Sequence, residues 1–258
     1  MPHESSDSAN VNPPSPRRRP VPDELFGGRL RGTYLLDLRV ARADTLADHV
    51  RAITFESPDL IGFEHEPGQD LMIEFPQPNR TTRRRYTIRR SNPTDGTIDI
   101  EFEVHGHGVA AQWAEHAQVG DTLEAIGPRG AITLDTTAAS NLFIADDSAL
   151  PAVAALIEAL PTPTAINVLV VTDHGPQSRP FTDADASVTW ITADQLDDTI
   201  ADLTITADTA SYVFGERHLV TGAIEALTEA GVHADVIRSK AYWRRDQPNA
   251  DHGEPARS

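Results

Sequence analysis

The sequence predicts two domains of different class: an antiparallel β-barrel followed by an α/β domain with a parallel sheet. Three observations support this. In roughly the first half, short runs of alternating apolar and polar residues are separated by Gly, Pro and Asp-Gly turns. From about Asn141 the rhythm changes, and continuous apolar strands alternate with helical stretches. Hydrophobic residues make up 39% of the chain, enough for ordinary cores, yet no apolar run reaches the ~20 residues of a membrane span.

Taken in order, residues 1–24 are rich in Pro, Ser and Asn and read as a disordered lead-in. Residues 25–137 form the expected barrel. Its strands include "TYLLDLRVARA", "DHVRAITFE" and "DLMIEFP". "RRYTIRRSNPTDGTIDIEFEVHG" reads as one hairpin around an Asp-Gly turn. "GVAAQWAEHA" has helix-forming composition, and "DTLEAIGPRG" closes the domain with a strand. Residues 138–246 form the expected α/β domain. "NLFIA" is a buried strand. In "DDSALPAVAALIEAL", Asp147 or Ser148 is the expected helix cap, with Pro151 in the first turn. "AINVLVV", "SVTWIT", "SYVFGE" and "ADVIRSKAYW" are further strands, and "HLVTGAIEALTEAG" is a helix closed by Gly231. Residues 247–258 read as a disordered tail.

The charge is uneven. Thirty-nine acids face 22 bases, a formal net charge of −17. That balance argues against nucleic-acid binding. With no cysteine, disulfides, cysteine-held iron–sulfur clusters and thiol nucleophiles are excluded. The N-terminal stretch has no apolar core of a signal peptide, so the expected compartment is the cytoplasm, without membrane insertion. Against this acidic background, Arg80, Arg83, Arg84, Arg85, Arg89 and Arg90 form one basic island around Tyr86. Arg238, Lys240 (the only lysine), Arg244 and Arg245 form a second around Tyr242 and Trp243. Positive charge beside ring faces suits an anionic ligand with a flat part. The plainer reading is arginine-edged strands balancing nearby acids.

Four segments carry candidate chemistry. On a strand, Arg84, Tyr86 and Ile88 share one face, and Arg85, Thr87 and Arg89 the other. A tyrosine can lie against a planar heterocycle while a nearby arginine reaches a phosphate. In "VHGHGVAAQWA", Gly106 and Gly108 precede a helix whose first N–H groups can bind phosphate. His105 and His107 alone are too few to imply a metal site, so none is expected. The third and fourth segments are "ADDSALPA" and "SKAYWRRD". There is no Gly-x-Gly-x-x-Gly after the first α/β strand, no P-loop and no nucleophile elbow.

These four segments, in this order, resemble the siderophore-interacting proteins, a branch of the ferredoxin-reductase-like flavoenzymes. "PGQDLMIEFP" and "SYVFGE" extend the similarity over roughly residues 30–245. The resemblance implies FAD on the barrel, held by Arg84, Tyr86, Thr87, Ile88 and Arg89, and by His105, Gly106, Ala110, Ala111, Gln112 and Trp113. It places Asp147, Ser148, Ala149 and Trp243 beside the flavin. Val109, Ala111, Ala241 and Asp246 depart from the family's usual proline, serine and two glycines. NAD(P)H is the implied donor, with Thr172, Ser178, Arg179, Gly215 and Glu216 as candidate contacts. Arg179 favours NADPH, whereas Asp173 suits a ribose hydroxyl. Lys240, Arg244 and Arg245 are the expected grip on an anionic ferric siderophore. No side chain is expected to act as acid, base or nucleophile, because the flavin carries the electrons. The implied activity is reduction of ferric siderophores with release of Fe²⁺, by a protein expected to be a monomer. Two alternatives stay open: a general flavin or electron-carrier reductase on the same fold, and a siderophore-binding protein without reductase activity.

Overall fold

The computed structural model describes residues 18–21, 33–78, 80–104, 108–130, 132–176 and 181–244. Two sheets organise them. The first is a curled antiparallel half-barrel: β1 (Arg19–Pro20), β2 (Tyr34–Ala47), β3 (Val50–Glu56), β4 (Asp70–Gln77), β5 (Arg80–Thr87), β6 (Arg90–Asn92), β7 (Thr97–Glu103) and β8 (Thr122–Arg129). Strand order is β5-β4-β8-β2-β3-β7-β6, with β1 paired to β2. Alternation explains its core. Leu36, Leu38 and Val40 of β2 and Ile98, Ile100 and Phe102 of β7 point inward and are fully buried. Helix α1 (Val109–His116) packs on this core through Ala110 and Ala114.

The half-barrel differs from the sequence expectation in two places. The first arm of the expected hairpin is two strands with different partners, and only its second part forms the hairpin with β7. β5 pairs with β4, while the short β6 pairs with β7. The chain crosses between them at Ile88 and Arg89, whose N–H groups donate to Gln69 O and Asp99 O. Ile88 is completely buried there, so the apolar side chain pins the crossing. Four residues inside the expected disordered lead-in, 18–21, also have defined contacts. Arg18 donates from Nε to Asp59 O at 2.9 Å and its guanidinium lies over the Tyr34 ring, while β1 extends the sheet. The rest of the lead-in, the boundary near Leu25 and the C-terminal tail lie outside the described residues.

The second sheet is parallel. It contains β9 (Ser140–Asp146), β10 (Ala165–Val171), β11 (Ser187–Ile191), β12 (Thr209–Glu216) and β13 (Ile237–Trp243), in the order β11-β10-β9-β12-β13. Central β9 is buried along almost its whole length, as expected for a strand covered on both faces. α3 (Leu196–Ala201) and α4 (Arg217–Glu229) cover one face, with α4 burying the stripe Val220, Ala223 and Leu227. α2 (Leu150–Glu158) covers the other and is buried from Leu150 to Ile157, because it is wedged between sheet and half-barrel. Gly68, at φ +79°, sits in a backbone conformation that favours glycine, and a Cβ there would crowd Ile132 Cδ1 at 3.0 Å, with Leu156 in ordinary contact at 3.5 Å. Neither Asp147 nor Ser148 caps α2. A single 3₁₀ turn at Asp147–Ala149 intervenes, and both side chains are committed elsewhere.

A candidate flavin site at the seam

The carboxyl ends of β9, β10, β12 and β13 face the half-barrel, and the strand order reverses between β9 and β12. That is where open α/β sheets bind ligands. Asp146, the last residue of β9, is fixed at this point from three sides. Oδ2 accepts from Glu216 N at 2.7 Å and from Trp243 Nε1 at 3.0 Å, and Oδ1 accepts from Ser148 Oγ at 2.5 Å. Burial raises the Asp146 pKa, while these hydrogen bonds pull the other way. Gly215, at φ +134°, makes the arrangement possible: any Cβ there would lie 2.6 Å from the Asp146 carboxyl carbon. Next to it, Asp147 Oδ2 accepts from Thr172 Oγ1 at 2.5 Å. Asp147 Oδ1 is buried with no hydrogen-bond partner among the described residues.

The half-barrel supplies the opposite wall. The Tyr86 ring is half-buried, 4.3 Å from the Phe102 ring and 6.1 Å from Phe75. Its phenol is pushed well above its ordinary range by burial and by Glu103, against the opposing pull of Arg84. Arg84 donates to Arg83 O at 2.8 Å. On the other face of β5, Thr87 lies beside the Tyr242 hydroxyl. Trp113 is half-buried and stacks with Phe55 at 6.1 Å. Ala110 and Ala111 are buried in the first turn of α1, and Gln112 is exposed. The N-cap of α1 is Gly108, which has no side chain to satisfy the helix's first N–H groups. A Cβ at Gly108 would meet nothing within 4 Å among the described residues.

Several expected contacts have other work. Ile88 is a core residue. Arg89 is only 5% exposed, and its guanidinium joins Glu158 in two hydrogen bonds, at 2.9 and 2.6 Å, and donates to Phe181 O at 3.1 Å. Glu101 lies 3.6 Å from its Nε. Burial favours a neutral Glu158, but the hydrogen bonds and charges of Arg89 and Arg90 outweigh it and hold the pKa near about 2. Arg89 is therefore drawn into the domain contact rather than toward a phosphate. Gly215 serves Asp146. Glu216 is buried and caps α4, accepting from His218 N at 2.6 Å and Leu219 N at 3.3 Å. His105, Gly106, Ser178, Arg179 and Arg245 lie outside the described residues.

The second basic island also divides. Arg238 pairs with Asp135 at 3.3 Å, at the start of β13. Lys240 reaches across the seam and donates to Asp70 Oδ2 at 3.0 Å, with its ammonium 5.0 Å from the Tyr242 ring centroid. Arg85 holds the same carboxylate in a fork, at 3.0 and 2.7 Å. Burial lowers the Lys240 pKa, and the Arg85 and Arg129 charges add to this, while Asp70 opposes it. Arg244 is half-buried beyond Trp243.

Sequence reasoning missed Asp70, Glu103 and Asp146. Glu103 ends β7 on the same outward face as Glu101, and β7 packs against the Asp147–Ala149 turn. Burial, then Asp146 and Asp147, push its pKa up to about 8. The sequence signals were faint: an Asp after the Pro-Gly turn, a doubled Asp, and a Glu where β7 leaves the sheet. Among the described residues no group of three or more His, Asp or Glu could hold a metal ion.

The comparisons decide the family. Residues 67–132 match the family model described as a siderophore-interacting FAD-binding domain, and residues 138–246 match that of the siderophore-interacting protein. The chain belongs to the siderophore-interacting protein family. Among its relatives, an uncharacterized Mycobacterium tuberculosis protein is 32% identical over 198 residues, spanning 68% of this chain and 70% of that protein. The ferric vibriobactin reductase of Vibrio cholerae is 27% identical over 243 residues, 82% of this chain and 89% of the reductase. The crystal structure of a siderophore utilization protein from T. fusca superimposes with a TM-score of 0.76 at 24% identity, covering 87% of this chain and 98% of that one. The ferredoxin reductase of carbazole 1,9a-dioxygenase shares the fold, with a TM-score of 0.66 at 20% identity over 82% and 68% of the two chains. This family member's cofactor is FAD. Its residues suit the cofactor: an uncapped helix terminus and Arg84 for a pyrophosphate, and a half-exposed tyrosine for a ring. Asp147 Oδ1, without a partner among the described residues, is an acceptor that suits a ring N–H.

Proposed function

We propose that this protein is an NAD(P)H-dependent oxidoreductase that reduces ferric siderophore complexes in the cytoplasm and so releases Fe²⁺. Bound FAD supplies the exchange between a two-electron nicotinamide donor and a one-electron iron acceptor. The chain's own residues hold and shield that exchange. Arg84 and the α1 N–H groups neutralise the pyrophosphate. Tyr86 on one domain and Trp243 on the other offer ring surfaces, and Thr87, Asp147 and Ser148 offer polar contacts at the ring edge. Asp146 holds the Trp243 indole in place. Fe³⁺ in a siderophore is bound by hard oxygen donors, and reduction weakens that grip. Many such complexes are anionic.

The observation that carries this reading is the cluster of Arg85, Arg129 and Lys240 beside Tyr242. In a chain of net charge −17, this positive spot raises local capture of an anion next to the aromatic pair. It also recasts the expected grip: Lys240 takes part with Arg85 and Arg129, with Arg244 beyond them.

An absorption spectrum of the pure protein, then anaerobic NADPH or NADH, then a ferric siderophore, tests the proposal. The flavin bands should bleach with the nucleotide and return with the iron complex, while a ferrous chelator traps Fe²⁺. Turnover of free flavin or a protein carrier, with ferric siderophores inert, would establish the general reductase instead. A colourless protein that cannot be loaded with FAD yet binds siderophore would establish a binding protein.

A further inference from the structure

Asp70 sits at the centre of the positive cluster. It is only 3% exposed, yet it sits at the seam rather than within either core. Arg85 grips it with two donors and Lys240 with one. Two cations, Arg85 and Lys240, therefore share the one carboxylate of Asp70, and among the described residues the Arg85 and Arg129 charges both act on Lys240. The cluster is open on one side. The Arg85 and Lys240 side chains are 31% and 24% exposed, and Gly130 is exposed beside them. A Cβ on Gly130 would come within 3.5 Å of Asp70 Oδ2, Lys240 Nζ and Arg85 Nη2, so this glycine, at φ +80°, keeps the approach clear.

We propose that Asp70 is a specificity-determining counter-charge: it holds Lys240 when the site is empty, yields it to an incoming anion, and sets how much negative charge the substrate complex may carry. The proposal rests on the ferric-chelate reading. The asymmetry of the hydrogen bonds makes the exchange possible. When Lys240 turns to an oxygen of the anion, the Arg85 fork still satisfies and neutralises Asp70. No buried carboxylate is left unpaired. Asp70 itself stays charged and repels the most anionic complexes, so it discriminates by repulsion as well as attraction.

The test uses FAD-loaded protein and redox-inert gallium(III) complexes, which report binding without electron transfer. One probe is a trianionic gallium tris-catecholate and the other a neutral gallium tris-hydroxamate. Asp70→Asn should tighten the tris-catecholate by about tenfold, steepen its salt dependence and leave the neutral complex unchanged. The double variant Asp70→Asn/Arg85→Gln restores the local charge without restoring the contact. It also removes the arginine that the single variant strands, so it stands in if the single variant folds poorly. It should return the wild-type discrimination. Equal weakening of both complexes in either variant, or no change in either, makes Asp70 a plain structural link and overturns the inference alone. Wild-type protein that binds neither gallium complex and reduces no ferric chelate overturns the functional reading together with it.

Discussion

Arg89 and Lys240 both cross between the two domains to a carboxylate, and the two contacts are built differently. Arg89 is almost fully enclosed, spends its guanidinium on Glu158 and Phe181 O, and has Glu101 at its side. Among the described residues Lys240 makes one hydrogen bond; it keeps a quarter of its side chain in solvent and shares its acceptor with Arg85. The first arrangement is hard to leave because separation strands a desolvated charge. The second can be left, because Asp70 keeps two donors when Lys240 departs. Ion pairs that look alike as distances therefore differ in whether they can exchange, and the deciding variable is what remains paired afterwards.

Four variants can break or sharpen this contrast. Arg89→Ala should have the largest effect, costing about 3 kcal/mol in chemical denaturation, because Glu158 loses its main partner in a half-buried contact. A loss below about 1 kcal/mol would put Arg89 in the same class as Lys240. Gly215→Ala follows. Its strained φ and the collision with Asp146 should cost about 2 kcal/mol and shift Trp243 fluorescence as the indole loses its acceptor. Unaltered emission would mean that Asp146 does not position the indole.

Glu103→Gln probes the repulsive part of the same seam. The folded state holds the Glu103 proton more tightly than the unfolded chain does. Wild-type stability should therefore fall as pH rises from the ordinary 4.5 toward about 8. The variant lacks that titration, so its advantage over wild type should grow by about 1–2 kcal/mol between about pH 5 and about pH 8.5. A pH-independent difference would remove Glu103 from the acidic group. Lys240→Ala should have the smallest effect on folding, below about 1 kcal/mol. It should nevertheless raise the KM for anionic ferric complexes while FAD stays bound. An unchanged KM across several such complexes would reject its role in substrate capture.

Much of the architecture was legible because each domain has its own periodicity. Alternation marked β2, β4 and β7, and continuous apolar runs marked β9 and β10. The segments around Tyr86, Asp147 and Trp243 were also legible, and the fold brings them to one seam. What stayed hidden depends on contacts between residues far apart in sequence. Nothing local says that Arg89 meets Glu158, 69 positions away, or that Lys240 meets Asp70, 170 away. The break at Ile88 was hidden for a similar reason: its neighbours continue the strand pattern, and only core burial makes the chain change partners. The α2 cap was misplaced because Ser148 and Asp147 look like free caps until Asp146 and Thr172 claim them.

The crossing after β5 ties together two dimensions of the molecule. Over four consecutive residues the backbone carries Tyr86 and Thr87 at the aromatic cleft, an anchored Ile88, and Arg89 bolted to the neighbouring domain. This short piece of chain works as a ruler: the gap between the domains and the seat of Tyr86 are measured from the same fixed point. A rotation that opened the cleft about Arg89 would tug directly on Tyr86, so interdomain motion and the position of the Tyr86 ring are mechanically one coordinate.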